Sequence, residues 1–391
     1  MRILTVADTP RAIDSGAAGT DVQTIEALRR RGHDVVEVWA DELGRRIRHG
    51  NLHYAFEAPG AILRAVRRHL ADSSFDVVLA SQPHGFRAAR WLGHNHPHTA
   101  FVNRSHGWET HVEEAVAPHR HTFGEPRWTR GRAWLGRLLG RLLDGHCTAT
   151  ARASDGIIVS TSSCRQYILQ HYGLDPARVA HIAQAAPDAY RELPLPVRQP
   201  DRPARILLVS SAAFFKGLPV ARSTLRTLLA DRPHISVTWV TDERALRDWM
   251  GPDDEPLCQR IAWLGGLSQG ELMRVYDEHD IFLFPSFFEG FGKAFLEAMS
   301  RGLCVVASDV GGMHDVITQE HDGLLCPAGD AIAFAEALRR VVDDGTLRMR
   351  LAARARQTAL TYSWDRVGRE TEAFCEARLQ ARLAAAGTEA P

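Results

Sequence analysis

Short apolar runs recur along the chain, and stretches with apolar residues at helical spacing separate them. The first run is RILTVAD, Arg2 to Asp8, and a polar loop with Gly16 and Gly19 follows it. Within TDVQTIEALRRRGH, Val22, Ile25 and Leu28 fall on one helical face, and DVVEVWA then opens a second apolar run. A short continuous apolar run closed by polar turns predicts a buried strand, and a three-to-four-residue period predicts a helix. Strand, loop, helix and strand in that order predict a parallel βαβ unit, because parallel strands need a crossover between them. FDVVLAS (Phe75 to Ser81), HTAFVNRS (His98 to Ser105) and DGIIVST (Asp155 to Thr161) continue the strand series.

The pattern breaks at RELPLPVRQPDRPA, Arg191 to Ala204, whose four prolines mark a linker. It then restarts. RILLVSS (Arg205 to Ser211) echoes the opening strand, and ISVTWVT, IAWLGG, DIFLFPS and LCVVASD follow as strands with helical stretches between them. From Ser363 to about Leu383 the tail reads as an Arg/Ala/Glu-rich helix. The class is α/β, with two doubly wound domains: 1–192, a linker at 193–203, then 204–362. The segment 363–391 is expected to pack back on the first domain. Ligands bind outside the carboxyl ends of the strands in such sheets. Two such domains facing a central cleft would bring both sets of ends to one site.

Composition narrows the function. The 391 residues carry 47 acidic and 47 basic side chains, which lacks the basic excess of a dedicated nucleic-acid binder. Six cysteines occur without a Cys-x-x-Cys pair, as expected of buried thiols in a reducing compartment. The apolar run at the N-terminus is too short for a signal peptide, and no stretch approaches the ~18 apolar residues of a spanning helix. The expectation is a cytoplasmic protein. Only two of the basic residues are lysine, Lys216 and Lys293. A compact ammonium and a planar guanidinium are not interchangeable, so these two draw attention.

Both lysines stand beside candidate chemistry. Lys216, in SSAAFFKG just after the first strand of the second half, suits a phosphate oxygen as a point charge. Lys293 lies in FPSFFEGFGKAFLEAMSRG, between Glu289 and Glu297. There Pro285 closes a strand, Gly290 and Gly292 allow close backbone approach, and a helix follows that Gly302 stops. Free N–H groups at that helix start favour a phosphate, and the carboxylates can accept from vicinal hydroxyls. A plain helix start with acidic residues near its positive end is the alternative. In the first half, DSGAAGTD is not a Gly-x-Gly-x-x-Gly fingerprint, so it offers N–H donors to an anion or a hydroxyl, or is an ordinary turn.

PSFFEGFGKAFLEAMSRGLCVVASDVGGMHDVI closely resembles the Glu-x7-Glu signature of the family 4 retaining glycosyltransferases, which have the two-Rossmann GT-B fold. The resemblance extends to HDGLLCPAGD, FFKG, WLGGLSQGELMRVYDEHDIFLFPS and the YSW at Tyr362 to Trp364. GTDVQTIEALRRRGHDV and NRSHGWE resemble the family's acceptor-domain landmarks. The resemblance implies that Glu289 binds hydroxyls of the donor sugar and that Gly290, Phe291 and Gly292 support the sugar and the diphosphate. It implies that Glu297 holds the ribose, that Lys216 neutralises the diphosphate leaving group, and that His106 lies near the reacting carbon. Gly16 would contact the donor phosphate or the acceptor, and Lys293 lies inside the donor site.

The reaction so implied moves a sugar from a nucleotide diphosphate to an acceptor hydroxyl on a glycan, a lipid or a small molecule. Front-side attack, with the leaving phosphate taking the proton, needs phosphate binders and no nucleophilic carboxylate. No cofactor and no metal are expected, since the chain has no Asp-x-Asp. HNHPH, His94 to His98, reads as a solvated loop rather than a metal site. The chain departs from the family where an arginine usually precedes the lysine by five residues: Ser211 stands there. Lys216 then acts alone, or Arg104 or Lys293 supplies the second charge. The gap also opens the reading of a catalytically silent nucleotide-sugar-binding partner subunit. QAAPDAY (Gln184 to Tyr190) and Asp315 are further departures. A sugar phosphorylase would need a Schiff-base lysine, and neither lysine has that context. RWTRGRAWLGRLLGRLLDG, Arg127 to Gly145, is basic and amphipathic; it suits docking on an anionic membrane or packing against the first sheet.

Overall fold

The structure, a computed structural model, describes residues 1–13, 16–48, 50–124, 130–247, 250 and 252–388. The chain forms two compact units. Unit 1 comprises Met1–Glu114, Pro126–Gln184 and Trp364–Pro391; unit 2 comprises Ala115–Glu125 and Ala185–Ser363.

Unit 1 is built on β1 (Arg2–Val6), β2 (Asp34–Val38), β3 (Val77–Ser81), β4 (Ala100–Ser105), β5 (Gly156–Val159) and β6 (Val179–His181). They form a six-stranded sheet in the order β2-β1-β3-β4-β5-β6, parallel throughout. The order reverses beside β1, the arrangement in which ligands sit at strand carboxyl ends. One face buries Phe101 among Leu4, Val6, Ile62, Val66, Val78, Ala89 and Leu92. On the other face the helices Ala17–Arg30 and Trp364–Thr388 pack together. Trp364 and Cys375 are fully buried there. Glu372 accepts from Arg31 and lies 2.9 Å from His33 Nε2, and Arg382 Nη1 donates to Asp155 Oδ1 at 3.0 Å.

Unit 2 repeats the plan with β7 (Arg205–Val209), β8 (Ser236–Val240), β9 (Ile261–Leu264), β10 (Ile281–Phe284), β11 (Cys304–Ser308) and β12 (Leu324–Cys326). Its order is β12-β11-β10-β7-β8-β9, again parallel. β10 and β11 are buried along their whole length, which is why they read as unbroken apolar runs.

The structure differs from the sequence pattern in two ways. The edge strands β6 and β12 carry three residues each, too few to stand out as apolar runs. The proline-rich segment is no free linker either: it lies within Ala185–Ser363, which groups with unit 2. Arg301, fully buried, donates to the carbonyls of Leu193 and Pro194 at 3.0 and 2.8 Å while its other edge grips Asp277. Arg198 donates to the carbonyls of His279 and Arg301, both at 2.9 Å. Arginine forks thus satisfy the backbone that prolines and missing secondary structure leave unpaired.

Candidate active site

In unit 2 the loop after β10 and the loop after β7 are joined. The Phe287 N–H donates to the Phe215 carbonyl at 2.8 Å. Lys216 Nζ donates to Glu289 Oε1 at 2.8 Å and Oε2 at 3.0 Å, and Ser286 Oγ donates to Oε1 at 2.7 Å. Glu289 is only 4% exposed. Burying a carboxylate to that extent is costly without a partner, and Lys216 is that partner. The ammonium also lies 5.2 and 5.6 Å from the ring centroids of Phe215 and Phe284. A 3-10 turn at Phe214–Lys216 delivers it, and Gly217 closes the turn at φ +72°. A Cβ on Gly217 would stand 1.8 Å from the Pro285 carbonyl oxygen, so only glycine fits.

Glu289, Gly290 and Phe291 are held from behind by Gly311 and Gly312. A Cβ on Gly311 would come within 2.4 Å of the Glu289 carbonyl oxygen, and one on Gly312 within 2.3 Å of that of Phe291. The ring of Phe291 is buried against Phe295, so only its backbone is available to a ligand. Gly292 begins the helix Lys293–Ser300, which no side chain caps. Such a start can serve an anion. Lys293 occupies its first position, against the usual preference for anions there.

Glu297 is half-buried one turn later and accepts from the Tyr276 hydroxyl at 3.2 Å. Burial pushes its carboxyl above the usual range, against the opposing pull of Lys293 and Tyr276. Each of the two lysines therefore acts on one signature glutamate: Lys216 on Glu289 by direct contact, Lys293 on Glu297 through its charge. Ser211 is exposed beyond the end of β7. His119 was not foreseen. Its ring stacks on Phe287 with centroids 4.1 Å apart and planes 5° from parallel, and burial pulls its basicity down. No motif marks it; an isolated histidine on a helix carries no sequence signal.

In unit 1, Gly16 stands immediately before the helix Ala17–Arg30, with open space around its Cα. Thr20 Oγ1 donates to Gln184 Oε1 at 3.0 Å, and Gln184 Nε2 donates to Ser160 Oγ at 3.0 Å, which ties that helix to the end of β5. His106 follows β4, and its Nε2 lies 3.0 Å from Asp21 Oδ1. Arg104, on β4, is 1% exposed and lies near Asp21 and Cys375. Its guanidinium is buried within unit 1.

A second cluster at the end of β1 was also missed. His53 is fully buried, with Nε2 at 2.6 Å from Asp8 Oδ2 and Nδ1 at 2.8 Å from Glu57 Oε2. Glu57 also accepts from the Ile47 and Arg46 N–H groups, which together with His53 hold its carboxyl at about 2. Burial pushes Asp8 up instead. Among the described residues no group of three or more His, Cys, Asp or Glu is arranged to hold a metal ion, and no helix is long and apolar enough to cross a membrane. The amphipathic stretch falls in the helix Arg130–Ala153, with 127–129 outside the described residues. Leu138 and Leu142 on it are 52% and 36% exposed, while it packs on the helices Gly50–Phe56 and Phe86–Asn95.

Comparison with known proteins places this geometry. The profile of Glycosyltransferase Family 4 matches residues 16–185, and that of Glycosyl transferases group 1 matches residues 254–358. The chain belongs to the family 4 glycosyltransferases. This glycosyltransferase is 27% identical to a glycogen synthase of Mycobacterium tuberculosis over 95% of its own length and 93% of that protein's. It is 27% identical to a D-inositol 3-phosphate glycosyltransferase of Streptomyces coelicolor over 93% and 88%. Its fold matches that of a sucrose-phosphate synthase from Thermosynechococcus elongatus, with a TM-score of 0.74 at 19% identity, covering 98% and 99% of the two chains. The fold is GT-B. The two profiles contain every candidate site residue except Lys216, which lies in the stretch between them.

Proposed function

We propose that this glycosyltransferase moves a hexosyl group from a nucleotide diphosphate sugar to an acceptor hydroxyl with retention of configuration and without a metal. The observation that carries the reading is the Lys216–Glu289 pair beside the uncapped start of the helix 293–300. Glu289 takes the sugar hydroxyls, Glu297 the ribose, and the backbone of Gly290 to Gly292 the diphosphate, with Lys293 and Gly16 as further donor contacts. As the bond between C1 and the phosphate oxygen breaks, its electron pair goes to the phosphate. Lys216 and the helix start then stabilise the negative charge that develops. The acceptor hydroxyl attacks C1 from the side the phosphate leaves, and its proton passes to the departing phosphate oxygen. His106 is the unit 1 group assigned to the reacting centre. A cytoplasmic enzyme with peripheral membrane contact through 127–145 fits the outward Leu138 and Leu142 and the arginines around them.

The test is incubation with a panel of UDP-, ADP- and GDP-hexoses, with and without EDTA, following nucleoside diphosphate release and the anomer formed. An inverted product, or activity abolished by EDTA, would sink the proposal. A second reading, a catalytically silent partner subunit that binds the nucleotide sugar, is favoured by the exposed Ser211 in the usual place of an arginine. It predicts saturable donor binding with no turnover.

A further inference from the structure

We propose that Asp21 is the positioning residue of His106: its carboxylate holds the imidazole through Nε2–H and fixes the orientation of the ring at the reacting centre. The inference rests on the glycosyltransferase reading above and adds a residue to it.

Asp21 lies in the second turn of the helix 17–30 and is buried. Burial alone would push its carboxyl up. The charge and hydrogen bond of His106, the charge of Arg104 and the Ser81 hydroxyl outweigh that and hold it below the usual carboxylate range. An ionised carboxylate only accepts. With Nε2 and Oδ1 3.0 Å apart, the hydrogen between them is therefore carried by Nε2. Nε2–H thus stays on Asp21 in either charge state, and whenever the ring is neutral its lone pair is on Nδ1. His106 Nδ1 is enclosed and has no hydrogen-bond partner among the described residues. A buried polar atom without a partner costs about 1–3 kcal/mol.

The groups around the pair come from three elements. Arg104 reaches Asp21 from β4, Ser81 from the end of β3, and His106 from just beyond β4. Cys375, on the helix 364–388, faces Arg104, and burial pushes its thiol up to about 12, so it adds no charge. All three guanidinium nitrogens of Arg104 lack a hydrogen-bond partner in the described structure. Arg104 thus acts on Asp21 through its charge alone and keeps the carboxylate ionised. A purely structural account would have Asp21 present only to balance Arg104. It leaves the contact with His106 unexplained.

The test uses the full chain labelled with 15N-histidine, with the His106 signal assigned by its loss in His106→Gln. In its neutral form the wild-type ring is expected to show Nε2–H with Nδ1 bare. Asp21→Asn is expected to mix the tautomers and to lower kcat at least about ten-fold while the KM for the nucleotide sugar changes less than about two-fold. Asp21→Glu, which keeps an acceptor, is expected to recover part of kcat. A neutral wild-type ring protonated on Nδ1 overturns the proposal, and so does Asp21→Asn with unchanged tautomer and kcat. If Asp21→Asn does not fold, the wild-type tautomer and Asp21→Glu still decide. A wild type that turns over no nucleotide sugar defeats the reading of the reaction, whereas the tautomer reports on Asp21 independently.

Discussion

Lys216 is closed onto Glu289, donating to both carboxylate oxygens at 2.8 and 3.0 Å although 73 residues separate them. The pair locks the loop after β7 to the loop after β10. In the proposed reaction it is also the junction between the leaving group and the sugar. Lys216→Ala should lower nucleotide-sugar turnover about 10²- to 10³-fold, the range for removing one preorganised donor from developing charge. Stability should fall by about 3 kcal/mol, because a buried carboxylate loses its partner. Lys216→Arg should restore stability better than turnover, since a planar fork does not replace a point charge. Urea unfolding and diphosphate release measure the two effects separately.

Gly217→Ala should damage the same junction from the backbone side. The new Cβ would meet the Pro285 carbonyl oxygen at 1.8 Å, and φ is +72°. A loss of about 2 kcal/mol or more is expected, with turnover falling as Lys216 is displaced. Unchanged unfolding and activity would show that the two loops are less tightly joined than described.

Tyr276→Phe removes the hydroxyl that donates to Glu297. Nucleotide binding should weaken about five- to ten-fold, the worth of about one hydrogen bond. Its pH dependence should move as well. Burial already holds the Glu297 carboxyl above its ordinary range, so binding by the carboxylate is lost as pH falls through that raised value. Without Tyr276 the value rises further, and the loss begins at higher pH. Calorimetric titration of nucleoside diphosphate across pH 5 to 8 checks both.

Glu57 should contribute to acid stability in unit 1. Its carboxyl is held at about 2, below the ordinary 4.5. The stabilisation is therefore complete above the unfolded value and disappears as pH falls towards the folded one. Urea midpoints of the wild type and Glu57→Gln should differ at pH 7 and converge between about pH 5 and pH 2. A constant difference would show that Glu57 acts without its charge.

Much of this was legible in the sequence, for a physical reason. Buried parallel strands need unbroken apolar runs, so β3 to β5, β10 and β11 announce themselves, and β1, β2 and β7 to β9 keep enough apolar positions to follow. The signature loop was legible because glycines and carboxylates at fixed spacing leave few alternatives. The edge strands β6 and β12 were not, being three residues long. Nor was the anchoring of 185–203, which depends on Arg301 and Arg356 reaching back from far along the chain. Asp21 and the His53 cluster stayed hidden because their partners meet only across the sheet: Asp21 is 85 positions from His106, and His53 is 45 from Asp8.

Unit 1 is discontinuous, and its last helix begins with the fully buried Trp364. On a ribosome the residues 364–388 emerge after all of unit 2. Until then the face that covers Arg104 and the helix 17–30 is bare, while unit 2 already has its whole sheet. Domains fold as units during synthesis, so the second half of this protein should mature before the first. A chain stopped after Ser363 is expected to leave unit 1 open to proteolysis and unit 2 resistant; equal resistance of both would contradict that order.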